Sequence, residues 1–165
     1  MPWREILKSG KATRRARSRS TAPALTADDI SNFSHALAAA RGQFGKAVKS
    51  LASDYDLGQR GPWIIGIVGR IQVSPHQLAD FFSVGRSLIT AELTKLEEGG
   101  FIALAKDEND GRRTNIALTP TGREVYDRLG RDMEAFLAER LAGYTVEEVR
   151  LCARLLADFS LPTSA

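Results

Sequence analysis

The chain has 165 residues, with 23 lysine and arginine side chains against 20 aspartate and glutamate side chains, and 43% of its residues are hydrophobic. This length fits one domain with a sizeable core, and the sequence contains no apolar run of membrane-spanning length. A single cysteine excludes an intrachain disulfide, so we expect a cytoplasmic protein that is neither secreted nor bound to a membrane.

The positive charge is concentrated at the start of the chain. Residues 1–25 carry seven basic side chains against the single acidic Glu5, which leaves residues 26–165 with a net charge of −3. Few large apolar residues follow Leu7, so this segment is predicted to be a mobile basic arm. It could add contacts to DNA phosphates, or it could be a dispensable tail. A third interpretation is a short amphipathic helix that docks through Trp3, Ile6 and Leu7.

Two helices are predicted next. Thr26 can cap the first, and Asp28 and Asp29 in its first turn favour the helix dipole. Its apolar residues recur at helical intervals, namely Ile30, Phe33, Leu37, Phe44, Val48 and Leu51. The second helix, over residues 62–71, is apolar on nearly every side and should be buried.

Residues 74–98 predict two helices joined by a tight turn. Ser74 can cap the first helix, and Pro75 suits its first position. Residues 83–85 form the break, and a second helix follows from about Arg86 to Glu98. Its apolar residues should face the core, namely Ile89, Leu93 and Leu96.

A β-hairpin follows the second of these helices. Residues 101–104 are a short apolar run, and residues 114–119 alternate between apolar and polar side chains, as strands do. The loop between them displays Arg112 and Arg113. Helix, tight turn, helix and a two-stranded wing is the winged helix-turn-helix arrangement, in which the second helix reads bases in the major groove. The expected fold class is therefore mainly α with a small β-wing.

The end of the chain predicts two further helices. Thr119 or Thr121 can cap a long helix that ends near Gly143, and Thr145 caps a last helix in a capping box with Glu148. Cys152 is expected there as a buried small hydrophobic residue. Residues 26–56 and 120–160 carry more apolar helix surface than a small winged domain needs. We therefore expect them to be dimerisation helices that flank a winged helix-turn-helix at 62–119.

Motifs across residues 74–123 carry a family resemblance. They are LADFF-SVGRSLITAELTKLEEGGFI, then D-x-x-D-G-R-R, then I-A-L-T-P-T-G. In this order the motifs resemble the MarR family of bacterial transcriptional regulators, and the likeness extends over about residues 28–160. The hallmarks are Asp110 and Arg112 at D-x-R spacing and the L-T-x-x-G element of Leu118, Thr119 and Gly122. The resemblance implies that residues 26–165 are a single MarR-like domain.

The resemblance also implies a homodimeric repressor that binds double-stranded DNA at a pseudo-palindromic operator and is released by a ligand. The predicted DNA-binding residues are Arg86, Ser87, Thr90, Thr94, Lys95, Asp110, Arg112 and Arg113. Within this set Thr94 is expected near the DNA backbone, and Arg112 is expected in the minor groove with Asp110 orienting it. Gly85 stands where the family often has a capping serine, and Leu88 and Ala91 replace commoner polar residues.

The resemblance further implies a small effector that is a phenol or an aromatic acid. It would lie between the dimer helices and the DNA-binding part, where a cation or imidazole beside apolar walls suits an aromatic acid. The candidate effector-binding residues are His35, Arg41, Phe44, Arg60, Trp63 and Ile67. For each of them a purely structural role stays open.

No catalytic or metal-binding constellation is visible in the sequence. His35 and His76 are isolated, and the loop that starts at Asp107 lacks the glycine and glutamate spacing of a calcium loop. We therefore expect neither an enzyme nor a cofactor or metal site. Two alternatives to the ligand-released repressor remain: a redox- or metal-responsive DNA-binding switch, and an adaptor that uses the winged domain for protein contacts.

Overall fold

In the computed structural model the described residues are 24–106 and 114–159. These two ranges hold six helices and one antiparallel pair of strands. In chain order the elements are α1 (Ala27–Leu51), α2 (Gly61–Val68), α3 (Pro75–Phe82), α4 (Arg86–Glu98), β1 (Ile102–Lys106), β2 (Thr114–Leu118), α5 (Pro120–Leu141) and α6 (Val146–Phe159). The mainly helical fold with a small two-stranded wing is confirmed.

Side-chain caps fix where the helices begin. At the start of α1, Thr26 Oγ1 accepts a hydrogen bond from the Asp29 N–H, and the Asp29 carboxylate accepts one from the Thr26 N–H. Ser74 and Gln77 form the same reciprocal capping box at α3. Thr145 and Glu148 form another at α6. Each box satisfies N–H groups that the first turn of a helix leaves without partners.

The hydrophobic core lies where α2, α3, α4 and the base of the wing meet. Its large, fully buried side chains are Leu57, Ile64, Ile65, Leu78, Ile89, Leu96 and Ile102. The burial predicted for the second helix and for the apolar face of α4 is therefore confirmed. Helix α2 ends at Val68, before the predicted residue 71. Its cap, Gly69, lies against the Tyr126 ring, which a side chain at this position would overlap.

The two ends of the described chain are much less covered than the core. Helix α6 has no buried residue, and in α1 only Val48 is buried. The apolar side chains of Ile30 and Phe159 are 55% and 67% exposed. The Phe33 and Phe159 rings meet edge to face, with their centroids 6.1 Å apart. The described chain therefore brings α1 and α6 into contact through these two rings but leaves most of their apolar surface open.

The burial expected for Cys152 is wrong, because the Cys152 side chain is exposed. The expectation rested on its place on an apolar helix face, and no residue of that helix is buried by the described residues. None of the helices in these ranges combines the length and the apolar character needed to cross a membrane.

Candidate nucleic-acid interface

The turn between α3 and α4 sets how α4 leaves the core. Ser83 adopts a left-handed conformation with φ 53° and ψ 47°, which is uncommon for a residue other than glycine. The following Val84 N–H donates to the Ala79 carbonyl at 3.0 Å. This turn lets α3 and α4 pack against each other while the first turn of α4 stays at the surface.

Helix α4 has one buried face and one exposed polar face. Ile89, Leu93 and Leu96 are buried. The exposed face contains Ser87, Thr90, Ala91 and Thr94, which we call the reading face, and Arg86 stands at its N-terminal end. Gly85 gives α4 no side-chain cap, as the sequence predicts. The structure thus brings Arg86, Ser87, Thr90 and Thr94 together on one surface.

Lys95, one helical turn after Ala91, borders that surface and forms an ion pair beside it. Its Nζ is 2.8 Å from the Asp56 Oδ1, and the two side chains are 44% and 92% exposed. An ion pair this open contributes less than about 1 kcal/mol, so a DNA phosphate could compete for Lys95. One turn earlier, Glu92 pairs with Arg60 at 3.3 Å. Both pairs connect the segment between α1 and α2 to the side of α4.

The wing extends from the core through a regular strand pair. Strand β1 pairs with β2 from Ile102 opposite Leu118 to Lys106 opposite Thr114. Ile102 and Ile116 anchor the pair because both are buried. The loop that connects the strands, with Asp110, Arg112 and Arg113, lies outside the described residues, so their DNA-binding roles stay predictions.

The L-T-x-x-G element fixes the start of α5 against the base of the wing. Thr119 Oγ1 donates to the Gly100 carbonyl at 2.6 Å and accepts from the Gly122 N–H at 3.0 Å. The Thr119 N–H donates to the Phe101 carbonyl at 3.2 Å. A side chain at the buried Gly122 would overlap that same carbonyl. The motif therefore orients the wing by joining its base to α5.

A cavity of about 700 Å³ lies between the end of α1, α2 and α5. Its walls are mostly aliphatic, and its polar side chains include Arg70, Tyr126 and Glu134. Arg70 Nε donates to the Tyr126 hydroxyl at 3.3 Å. A space of this size and lining suits a small, largely apolar ligand.

The candidate effector residues have different positions relative to this cavity. Trp63 and Ile67 line it. Phe44 packs on Trp63 with ring centroids 5.4 Å apart. Arg60 is paired with Glu92. His35 and Arg41 are exposed on α1, outside the lining. All six assignments remain predictions.

Sequence reasoning missed Arg70, Tyr126 and Glu134 as cavity residues. Tyr126 and Glu134 lie on α5, more than 50 positions from Arg70, so only the tertiary fold brings them together. The regular apolar stripe of α5 is the single available signal, and a dimerisation helix would show the same stripe. Over residues 24–106 and 114–159 no group of three histidine, cysteine, aspartate or glutamate side chains could hold a metal ion.

Curated proteins similar to this chain are transcriptional regulators. The Bacillus subtilis HTH-type regulator YybA is 30% identical over 123 residues, which are 70% of this chain and 80% of YybA. The Escherichia coli homoprotocatechuate degradative operon repressor is 31% identical over 84 residues, which are 51% of this chain and 57% of the repressor. The chain thus spans little more than half the length of that repressor, and 52% of another B. subtilis regulator. No family model matches the sequence.

Solved structures of MarR type share the fold. CouR from Rhodococcus jostii RHA1, bound to p-coumaroyl-CoA, superposes with a TM-score of 0.72 at 23% identity, over 84% of this chain and 96% of CouR. NadR in complex with 4-hydroxyphenylacetate superposes with a TM-score of 0.69 at 22% identity, over 86% of this chain and 97% of NadR. Streptococcus pneumoniae FabT in complex with DNA superposes with a TM-score of 0.65 at 21% identity, over 79% of this chain and 94% of FabT.

Proposed function

The chain belongs to the MarR family of winged helix-turn-helix transcriptional regulators, and from that premise we propose that it is a homodimeric repressor released from its operator by a small effector. The observation that carries the proposal is the exposed face of α4, which has small or hydrogen-bonding side chains and lies beside a regular β-wing. A helix of this kind fits the major groove, and a wing can follow the DNA backbone into the adjacent minor groove. FabT, which has this fold, is bound to DNA in its solved structure.

The homodimer is supported by the apolar surface at the two ends of the chain. Ile30 and Phe33 on α1 and Leu155 and Phe159 on α6 are all more than 40% exposed. Pairing α1 and α6 with a second copy across a two-fold axis would remove this surface from water. It would also set two copies of α4 about 34–36 Å apart, one DNA turn, which matches a pseudo-palindromic operator. In this assignment residues 26–56 and 120–160 form the dimer, and residues 62–119 bind DNA.

The proposed effector site is the cavity between α1, α2 and α5. Trp63 and Ile67 supply apolar walls, and Arg70 beside Tyr126 supplies a cation and a hydroxyl for a carboxylate or phenol. The solved CouR and NadR structures hold an aromatic acyl-CoA and an aromatic acid. Helix α2 lines the cavity, and Arg60, directly before α2, contacts Glu92 on α4. A ligand that shifts α2 can therefore favour one orientation of α4 over another.

The test is a mobility shift with the DNA upstream of the gene, repeated with a panel of aromatic acids and phenols. We expect a retarded complex at low salt and its loss with at least one panel member. The substitution Trp63→Ala should leave DNA binding in place but weaken that ligand's effect. Failure to retard any upstream DNA would favour the protein-interaction adaptor. Release by peroxide or a chelator, with no response to the panel, would favour the redox- or metal-responsive switch.

A further inference from the structure

We infer that the reading face of α4 recognises the 5-methyl groups of thymines, through the methyl groups of Thr90 and Ala91. This inference rests on the proposed DNA-binding function and specifies what kind of sequence that function selects. It predicts that each operator half-site has thymine at the positions beneath the middle of α4.

The composition of α4 leaves few ways to read a base by hydrogen bonds. Paired hydrogen bonds to guanine come from arginine or lysine, and those to adenine come from asparagine or glutamine. Helix α4 contains neither asparagine nor glutamine, and its two cations are Arg86 and Lys95. Arg86 stands at the N-terminal end of the reading face, and Lys95 borders its other end, where it pairs with Asp56. The middle of the reading face therefore carries no charged or amide side chain.

The hydroxyl group of Thr90 is already engaged within the helix. Its Oγ1 donates to the Arg86 carbonyl one turn earlier, at 3.0 Å. Because the hydroxyl hydrogen is used there, the Thr90 hydroxyl can only accept from a base, and its γ-methyl is the other group on Cβ. Ala91 follows directly and is also exposed. Two neighbouring exposed positions thus offer methyl groups to the DNA.

A methyl surface can still distinguish base pairs in the major groove. Thymine alone among the four bases presents a methyl group there, and alanine and the threonine methyl are among the apolar groups that contact it. Burial of one methylene-sized group corresponds to about 0.8 kcal/mol, which is about a fourfold change in Kd. Two equivalent half-sites would together give about a fifteenfold change.

The experiment replaces thymine by uracil, which keeps the base pair and removes only the methyl group. The full-length protein is first footprinted on the upstream DNA that it retards, and each thymine in the footprint is then changed singly to deoxyuridine. We expect about fourfold weaker binding for one or two positions in each half-site and unchanged binding elsewhere. Binding within twofold at every position, or a half-site without thymine, would overturn the inference. Absence of any DNA complex would instead overturn the proposed function, and this inference with it.

Matched variants connect the effect to Thr90. Thr90→Ser keeps the hydroxyl and its bond to Arg86 but lacks the methyl, so it should bind thymine DNA about fourfold more weakly per half-site. It should also bind the matching uracil operator no more weakly than the thymine operator. Thr145→Ser makes the same chemical change at the cap of α6. It should keep the wild-type affinity and the full loss of affinity on replacing thymine by uracil, the uracil penalty. A full uracil penalty in Thr90→Ser at every position would show that Thr90 does not read the methyl.

Discussion

At the scale of single residues, we propose that the wing acts on DNA through the placement of one arginine more than through its total charge. Arg112 and Arg113 share the wing with Lys106, but Asp107, Glu108 and Asp110 offset them. Replacing Arg112 by alanine should weaken operator binding by about 1–3 kcal/mol, the range for a side chain that reads or fills a groove. A fluorescence anisotropy titration at fixed salt measures this loss.

Two controls separate placement from charge and from folding. Arg112→Lys keeps the charge but loses the planar fork of the guanidinium, so it should recover only part of the lost affinity. Both variants should keep the thermal midpoint of the wild type, because the described core is built from residues on either side of the segment 107–113. Wild-type affinity in Arg112→Ala would remove Arg112 from the interface.

The glycine of the L-T-x-x-G element is predicted to be a packing requirement. A methyl group at Gly122 would overlap the Phe101 carbonyl, so Gly122→Ala must move the wing or the start of α5. We expect the free energy of unfolding to fall by about 1–3 kcal/mol or more. Gly130→Ala, in the same helix with nothing within 4 Å of the added carbon, should instead be neutral or gain about 0.5–1 kcal/mol. Chemical denaturation of the two variants compares them, and equal stabilities would contradict the packing argument.

How well each part of the site could be predicted from the sequence depends on how far apart its residues lie in the chain. The reading face of α4 could be predicted because its periodicity is local, with Ile89 and Leu93 marking the opposite side. The cavity could not, because Arg70 and Tyr126 belong to separate parts of the chain and meet only in the folded protein. For the same reason the sequence gives no sign that Asp56 pairs with Lys95, 39 residues away.

At the scale of elements, we expect the capping boxes of α1 and α6 to make these two helices sensitive to acid. The Thr145 N–H and hydroxyl both donate to the Glu148 carboxylate at 2.8 Å, and these bonds lower the Glu148 pKa from its ordinary 4.5. At α1, the hydroxyl and then the N–H of Thr26 lower the Asp29 pKa in the same way. A carboxyl whose pKa is lowered by folding stabilises the fold above its unfolded pKa and loses that effect as the pH falls through its folded pKa.

The corresponding prediction concerns Glu148→Gln. At pH 7 this variant should melt below the wild type, and the gap should close as the pH falls from about 4.5 through the lower folded pKa of Glu148. Below that pKa the protonated Glu148 and the glutamine are both neutral. Thermal melts from pH 7 to pH 3 at one protein concentration measure the gap.

The neighbouring Glu147 provides a matched control for the cap. Glu147→Gln removes the same charge from the same first turn of α6 but leaves the Thr145–Glu148 box intact. Glu148→Gln should lower the melting temperature more than Glu147→Gln does, and this difference is the contribution of the capping hydrogen bonds. A gap for Glu148→Gln that stays constant down to pH 3 would contradict the assignment.

Helix boundaries could be predicted closely because caps and breakers are encoded locally. Thr26, Ser74, Thr119 and Thr145 each precede a helix that begins at the next residue. Burial could not always be predicted, because it depends on what covers a helix. Cys152 lies on α6, which has no buried residue in the described chain. Helical periodicity marks an apolar face, but it does not show whether that face packs on the same chain or on another copy.

At the scale of the whole molecule, charge is divided between a basic start and an acidic remainder. Residues 26–165 carry a net charge of −3 although they include every residue proposed to read DNA. Such a body gains little general attraction to DNA, whose affinity for proteins depends on neutralised phosphates. We therefore propose that residues 1–25 provide most of the nonspecific attraction, while α4 and the wing provide the selection.

Removal of the arm should change how binding depends on salt. A chain that starts at Thr26 should bind its operator more weakly at low salt, and the slope of log K against log salt should fall by about one unit for each phosphate that the arm neutralises. Full-length protein with Arg14, Arg15, Arg17 and Arg19 replaced by glutamine should reproduce most of this fall, because it keeps Trp3, Ile6 and Leu7. If truncation weakens binding without lowering the slope, the segment acts by docking through those apolar residues. An unchanged slope after truncation would show that the arm neutralises no phosphates, and the acidic body would then have to bind its operator through α4 and the wing alone.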